Sequence, residues 1–141
     1  MFGNTTADNN TAVGYGALQV NTTGTNNVAV GATALDAATT GDNNTAVGYT
    51  AMTDNTTGSD NSAFGKGALA NNTTANSNCA FGGNALFTQT SDGTKNWAFG
   101  SGTLYSNTSG DSNCAFGDAA LYTNTTGSEN IAIGDYALGA N

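Results

Sequence analysis

A phrase of the form Asn-x-Ala-(Val/Phe/Ile)-Gly begins at Asn10, Asn27, Asn44, Asn61, Asn78, Asn96, Asn113 and Asn130, so one unit returns every 17 residues, with a single step of 18 between Asn78 and Asn96. A short fixed period means one structural unit copied along an axis, and it sets the architecture before any local propensity is consulted. The chain divides into a partial repeat (1–9), seven full repeats (10–129) and a second partial repeat (130–141), a single repeat domain that reads as a segment of a longer fibre.

Each unit carries two apolar stations. The first holds Val13, Val30, Val47, Phe64, Phe81, Phe99, Phe116 and Ile133; the second holds Leu18, Leu35, Met52, Leu69, Leu86, Leu104, Leu121 and Leu138. Both columns are expected to form the structural core. A Gly follows the first station in every copy, and Asn-Thr-Thr-Gly closes most units, which reads as strand, Gly bend, strand and polar turn. Helix is excluded by the density of Gly, Asn and Thr and by the lack of a 3.6-residue stripe. The expected fold is all-β, a parallel β-solenoid or β-roll with about 17 residues per coil and a rise of ~4.8 Å.

Stacked coils place like on like, so Asn10, Asn27, Asn44, Asn61, Asn78, Asn96, Asn113 and Asn130 are expected to form a ladder of side-chain amides. The extra residue falls within Thr88–Gly93, where a surface turn can accept it. The residue before each Ala forms a further column of Thr11, Val28, Thr45, Ser62, Cys79, Trp97, Cys114 and Ile131, on the same strand face as the Val/Phe column. Both strand faces are therefore nearly free of charge, one suited to the thin interior and the other to a seam against another chain. Cys79 and Cys114 share a column two coils apart, which is roughly 9 to 10 Å and too far for a bridge between them.

Composition narrows the function classes. The chain has no Pro, as expected of a backbone committed to ladders, and no His; Lys66 and Lys95 are its only basic residues and its net charge is −8. Nucleic acid and anionic membrane surfaces are disfavoured as partners, and no stretch is apolar enough to insert in a membrane. Ladders give rows of one group rather than clusters of different groups, so no catalytic residues and no cofactor are expected. Asp8, Asp42, Asp60, Asp111 and Glu129 fall near the ends of their units, where Ca²⁺ bridging is the one metal reading.

The phrases Asn10-Thr11-Ala12-Val13-Gly14-Tyr15-Gly16-Ala17-Leu18 and Asn44-Thr45-Ala46-Val47-Gly48-Tyr49-Thr50-Ala51-Met52, with the intervening Asn-Thr-Thr-Gly, resemble the head repeats of trimeric autotransporter adhesins and related repeats of phage tail-fibre proteins. The resemblance implies a left-handed roll, three chains side by side, and display on a cell surface or virion. The period of 17 is longer than the adhesin repeat.

The expected function is that of a structural or adhesive fibre segment, an extracellular, cell-surface or virion filament or shaft. Its expected partners are copies of itself, as a trimer or an end-to-end filament, and host-surface or environmental glycans. Asn21, Asn55, Asn72, Asn107 and Asn124 sit in Asn-x-Ser/Thr patterns at the closing turn and are candidate glycan acceptors. The alternative is an ice-binding solenoid presenting Thr and Asn ladders. Such a face wants Thr-x-Thr so that two ranks point the same way, whereas the adjacent Thr22 and Thr23 of an extended strand are expected to face opposite ways, one outward and one inward, which weighs against it.

Overall fold

The computed structural model describes residues 4–140 and is a parallel β-solenoid. Eight three-residue strands follow in order: β1 (Thr11–Val13), β2 (Val28–Val30), β3 (Thr45–Val47), β4 (Ser62–Phe64), β5 (Cys79–Phe81), β6 (Trp97–Phe99), β7 (Cys114–Phe116) and β8 (Ile131–Ile133). They form one parallel sheet in sequence order. Register is like on like: Val13 pairs with Val30 and Val30 with Val47, and the single file continues through Phe64, Phe81, Phe99 and Phe116 to Ile133.

The ladder extends beyond the strands. In the turns, Thr33 N–H donates to Tyr15 O at 2.8 Å, Leu35 N–H to Ala51 O at 3.0 Å and Thr22 N–H to Thr39 O at 3.0 Å. Most of each coil is thus bonded to its neighbour, although only three residues per coil have strand geometry. The second expected strand is absent: the Leu station lies in a turn, with φ between 48° and 53° from Leu18 to Leu138.

A left-handed conformation costs a residue with a Cβ roughly 1–2 kcal/mol. Burying a Leu side chain returns about 1.5–3 kcal/mol, so the side chain outweighs the backbone. Leu18, Leu35, Met52, Leu69, Leu86, Leu104 and Leu121 are fully buried and fill the middle of the coil. Leu138, in the last coil, is the exception at 46% exposed. At Gly48 no side chain is possible: φ is +140°, and a Cβ would lie 2.5 Å from Gly65 O in the next coil.

The inward face of the sheet is the Ala column, with Ala29, Ala46, Ala63, Ala80, Ala98 and Ala115 all at 0% exposure. Because Leu occupies the interior, only a methyl fits opposite it. The Val/Phe column consequently points out, contrary to its expected place in the core: Val13 is 57%, Phe116 40% and Ile133 74% exposed, and Val30, Val47, Phe64, Phe81 and Phe99 are half-buried.

Leu69, in a central coil, tests this packing. Leu69→Ala is expected to cost about 2–5 kcal/mol by opening a cavity that the stacked coils cannot close, read as a fall in the urea midpoint.

Candidate functional site

The Asn ladder is present, but its bonds run chiefly to backbone. Asn27 Oδ1 accepts from Asn44 N–H at 2.8 Å and Asn44 Oδ1 from Asn61 N–H at 3.0 Å, which locks successive coils. Direct amide contacts accompany these in places, as from Asn61 Nδ2 to Asn44 Oδ1 at 3.2 Å and from Asn130 Nδ2 to Asn113 Oδ1 at 3.0 Å. The ladder amides also reach across their own coil: Asn10 Nδ2 donates to Gly24 O and Asn44 Nδ2 to Gly58 O, both at 2.8 Å.

A second Asn column meets the same carbonyls. Asn21 Nδ2 donates to Gly24 O at 2.9 Å, Asn55 Nδ2 to Gly58 O at 3.0 Å, Asn72 Nδ2 to Ala75 O at 3.1 Å, and Asn107 and Asn124 to Gly110 O and Gly127 O at 2.9 Å each. These are the five candidate glycan acceptors. Four are 0% exposed and Asn124 is 4% exposed, so the amides expected to accept a glycan at the closing turn lie inside it instead. Their amides point inward because the closing turn leaves a buried carbonyl needing donors. The 17-residue recurrence of this Asn carried the signal, and the Asn-x-Thr pattern obscured it.

The column has two gaps. Ala38 stands where the coil after Asn21 needs an amide, and Asn21 Oδ1 is buried without a partner. Gln89 replaces Asn in the coil after Asn72, and Asn72 Oδ1 is likewise unpartnered. Gln89 Nε2 donates to Gly93 O across the longer turn instead. The side chain longer by one methylene thus matches the extra residue, and Thr90, Ser91 and Asp92 form the expected surface turn.

The acidic residues do not stack on one another. Asp42 Oδ1 accepts from Thr25 N–H at 2.7 Å and Thr25 Oγ1 at 2.9 Å, and Asp111 Oδ1 takes Thr94 N–H at 2.7 Å and Thr94 Oγ1 at 3.0 Å. Asp8 belongs to this column, whereas Asp60 and Glu129 lie in the next one. Among the described residues there is no group of three or more His, Cys, Asp or Glu placed to hold a metal.

Both Thr of the closing turn reach the surface, which corrects the expected inward facing of one. Thr22, Thr39 and Thr56 are half-buried and donate through Oγ1 to the carbonyl of the next coil at 2.8 to 3.1 Å, while Thr23, Thr40, Thr57 and Thr74 are exposed.

The outstanding surface is the outward face of the sheet. An apolar column from Val13 to Ile133 runs along it beside an uncharged, mixed column from Thr11 to Ile131 that includes Thr45 and Ser62. Phe64, Phe81, Phe99 and Phe116 stack with ring centroids 4.5, 5.0 and 4.6 Å apart and planes within 10°. Trp97 is 54% and Ile131 71% exposed. Cys79 and Cys114 are free and half-buried in the same stripe, and burial pushes the Cys79 thiol up from its usual pKa. A second aromatic column, Phe87, Tyr105 and Tyr122, stacks at 5.3 and 5.0 Å one residue after the Leu station and was not anticipated. No helix among the described residues is long and apolar enough to cross a membrane.

No family model, no curated protein and no solved structure matches this chain.

Ala38→Asn should close one of the two gaps in the amide column by offering Nδ2 to Asn21 Oδ1. The expected gain is about 1 kcal/mol from satisfying one buried acceptor, measured by urea denaturation beside the unaltered chain.

Proposed function

We propose that this chain is a segment of a structural fibre, a rigid β-solenoid shaft that associates side by side with copies of itself at a cell surface or on a virion. The observation that carries the reading is the outward stripe, an apolar column from Val13 to Ile133 with an uncharged column beside it, which follows the sheet along all eight coils. Contiguous apolar surface of this extent marks an interaction site on a soluble protein. Each coil is only one short strand and a set of turns thick, so covering the stripe supplies apolar burial that a single stack lacks. The net charge of −8 limits unspecific lateral aggregation and leaves association to the uncharged stripe. The likeness of the repeat phrases to adhesin-head and tail-fibre repeats supports a fibre role and a glycan or host surface as the far partner.

Phe99 lies in the middle of the stripe, half-buried and outward. Phe99→Asp is therefore expected to leave the circular dichroism of the coil unchanged while weakening self-association at least tenfold, read by sedimentation equilibrium. Loss of the folded signal, or unchanged association, counts against the stripe as the contact face.

An ice-binding role is the second reading, favoured by the exposed rank of Thr23, Thr40, Thr57 and Thr74 beside a half-buried Thr rank on a regular stack. A freezing gap in the purified chain would support it, and none is expected on the fibre reading.

A further inference from the structure

Identical coils stack like on like, so differing groups come together only where the repeat departs from its pattern. The departures converge on β6, β7 and β8. Trp97 is the only Trp of the chain, Glu129 its only Glu and Lys95 one of its two basic residues. In the column beside the Phe file, Cys114 is a short side chain between two long ones, Trp97 and Ile131. Two residues earlier in each coil, Ser112 stands in the same way between Lys95 and Glu129. Two adjacent columns that run large, small and large at the same three coils leave an open notch of about 360 Å³, lined by these six residues with Asn113 beneath. That is the volume and the make-up of a small-molecule site, mostly apolar with a few polar groups.

Its dimensions suit a single ring. In the neighbouring file Phe64, Phe81, Phe99 and Phe116 stack at 4.5 to 5.0 Å, one ring per coil. The Trp97 column has no ring at Cys114, so a flat group entering there lies between Trp97 and Ile131, which are two coils or roughly 9 to 10 Å of rise apart. The floor is satisfied: Asn113 is 1% exposed, donates to Gly127 O at 2.8 Å and accepts from Asn130 N–H at 3.0 Å. Polar groups stand instead at the mouth, where the Lys95 ammonium donates, the Glu129 carboxylate accepts and the Ser112 hydroxyl does both. None of these three side chains has a hydrogen-bond or ion-pair partner among the described residues.

Resting on the glycan partner proposed above, we infer that this notch binds one neutral pyranose ring of a glycan. The two faces of a pyranose are C–H surfaces that pack on an aromatic and an aliphatic side chain, and its hydroxyls lie around the edge, where Lys95, Ser112 and Glu129 reach. A ring without polar substituents would desolvate the charged mouth and give it no hydrogen bonds in exchange. Lys95 and Glu129 carry opposite charge, so the mouth has no net preference for an anion or a cation. They also stand on opposite walls two coils apart, wider than the ammonium and carboxylate on the one α-carbon of an amino acid, which disfavours a free aromatic amino acid. Phe99, Phe116 and Ile133 do not line the notch, and Lys95, Ser112 and Glu129 lie on the far side of the Trp97 column from them. A copy seated on the Val/Phe file therefore leaves the mouth reachable.

Trp97 reports on the notch directly, because no other Trp contributes to the emission. Titration with the methyl pyranosides of glucose, galactose, mannose and N-acetylglucosamine is expected to give a saturable change in Trp97 fluorescence with at least one of them. Benzyl alcohol and phenylalanine should bind at least tenfold more weakly, and either of them binding as tightly overturns the sugar assignment. Cys114→Leu fills the slot and is expected to weaken the pyranoside at least tenfold with an unchanged circular dichroism spectrum, while Thr45→Leu, in the same column on β3, leaves it unaltered. Glu129→Ala, on an exposed side chain, should weaken it at least threefold and keeps the test open if Cys114→Leu does not fold. An array of neutral glycans probed with the same chains separates the two readings. Capture that survives both Cys114→Leu and Glu129→Ala overturns the notch alone, whereas no capture together with a flat Trp97 titration overturns the glycan partner beneath it.

Discussion

The structure depends on buried amides that hold each coil shut. A coil with three strand residues and a left-handed Leu has little intrinsic reason to close, because its turns spend backbone energy rather than gain it. Gly24 O and Gly58 O each accept from two Asn side chains, one from the start of the strand and one from the closing turn. Leaving such a buried carbonyl unpaired costs about 1–3 kcal/mol per coil. The same ladder Asn that closes one coil accepts the N–H of the next Asn, so closure and register are one interaction. A shift of register would break both at once, which is why the 18-residue step is absorbed by Gln89 within its own turn and passed no further.

Closing the coil so tightly determines what is left over. Leu fills the space between strand and closing turn, Ala lines the opposite wall, and no larger residue enters. The remaining apolar side chains, one or two per coil, have nowhere to go but out. The uncovered stripe is thus a consequence of the narrow interior, and the same geometry that stabilises the single chain leaves it with a flat, ring-lined face.

The stacking was legible from periodicity alone, because a constant step leaves only like-on-like pairing, as the Val13, Val30, Val47 file shows. The facing of the strand was not. Alternation separates Ala from Val or Phe but does not say which side is inside when both are apolar, and the answer lay in the volume claimed by a Leu five residues further along, as Leu18 is from Val13. The Leu station read as a strand because local propensity disfavours a left-handed Leu, and burial overrode that preference. Asn21 and its equivalents were misread for the opposite reason: a three-residue pattern suggested a surface acceptor, while the period placed the same amide in the interior in five coils.

The repeats act as replicates of one experiment, and comparing their columns separates constraint from freedom. Inward positions hardly vary: Ala at the strand centre in all eight coils, Leu or Met at the second station, Asn at the ladder. An outward column under no constraint drifts, as the corner after the Gly bend does, running Tyr15, Ala32, Tyr49, Lys66, Gly83, Ser101, Asp118 and Asp135. The Val/Phe column also faces outward, yet it holds Val, Phe or Ile in every coil. Solvent alone gives no reason to keep eight apolar residues in file when the neighbouring corner accepts Lys and Asp. Packing between successive strands favours β-branched and aromatic residues in such a file, and on the proposed fibre reading a covering surface adds water exclusion to it.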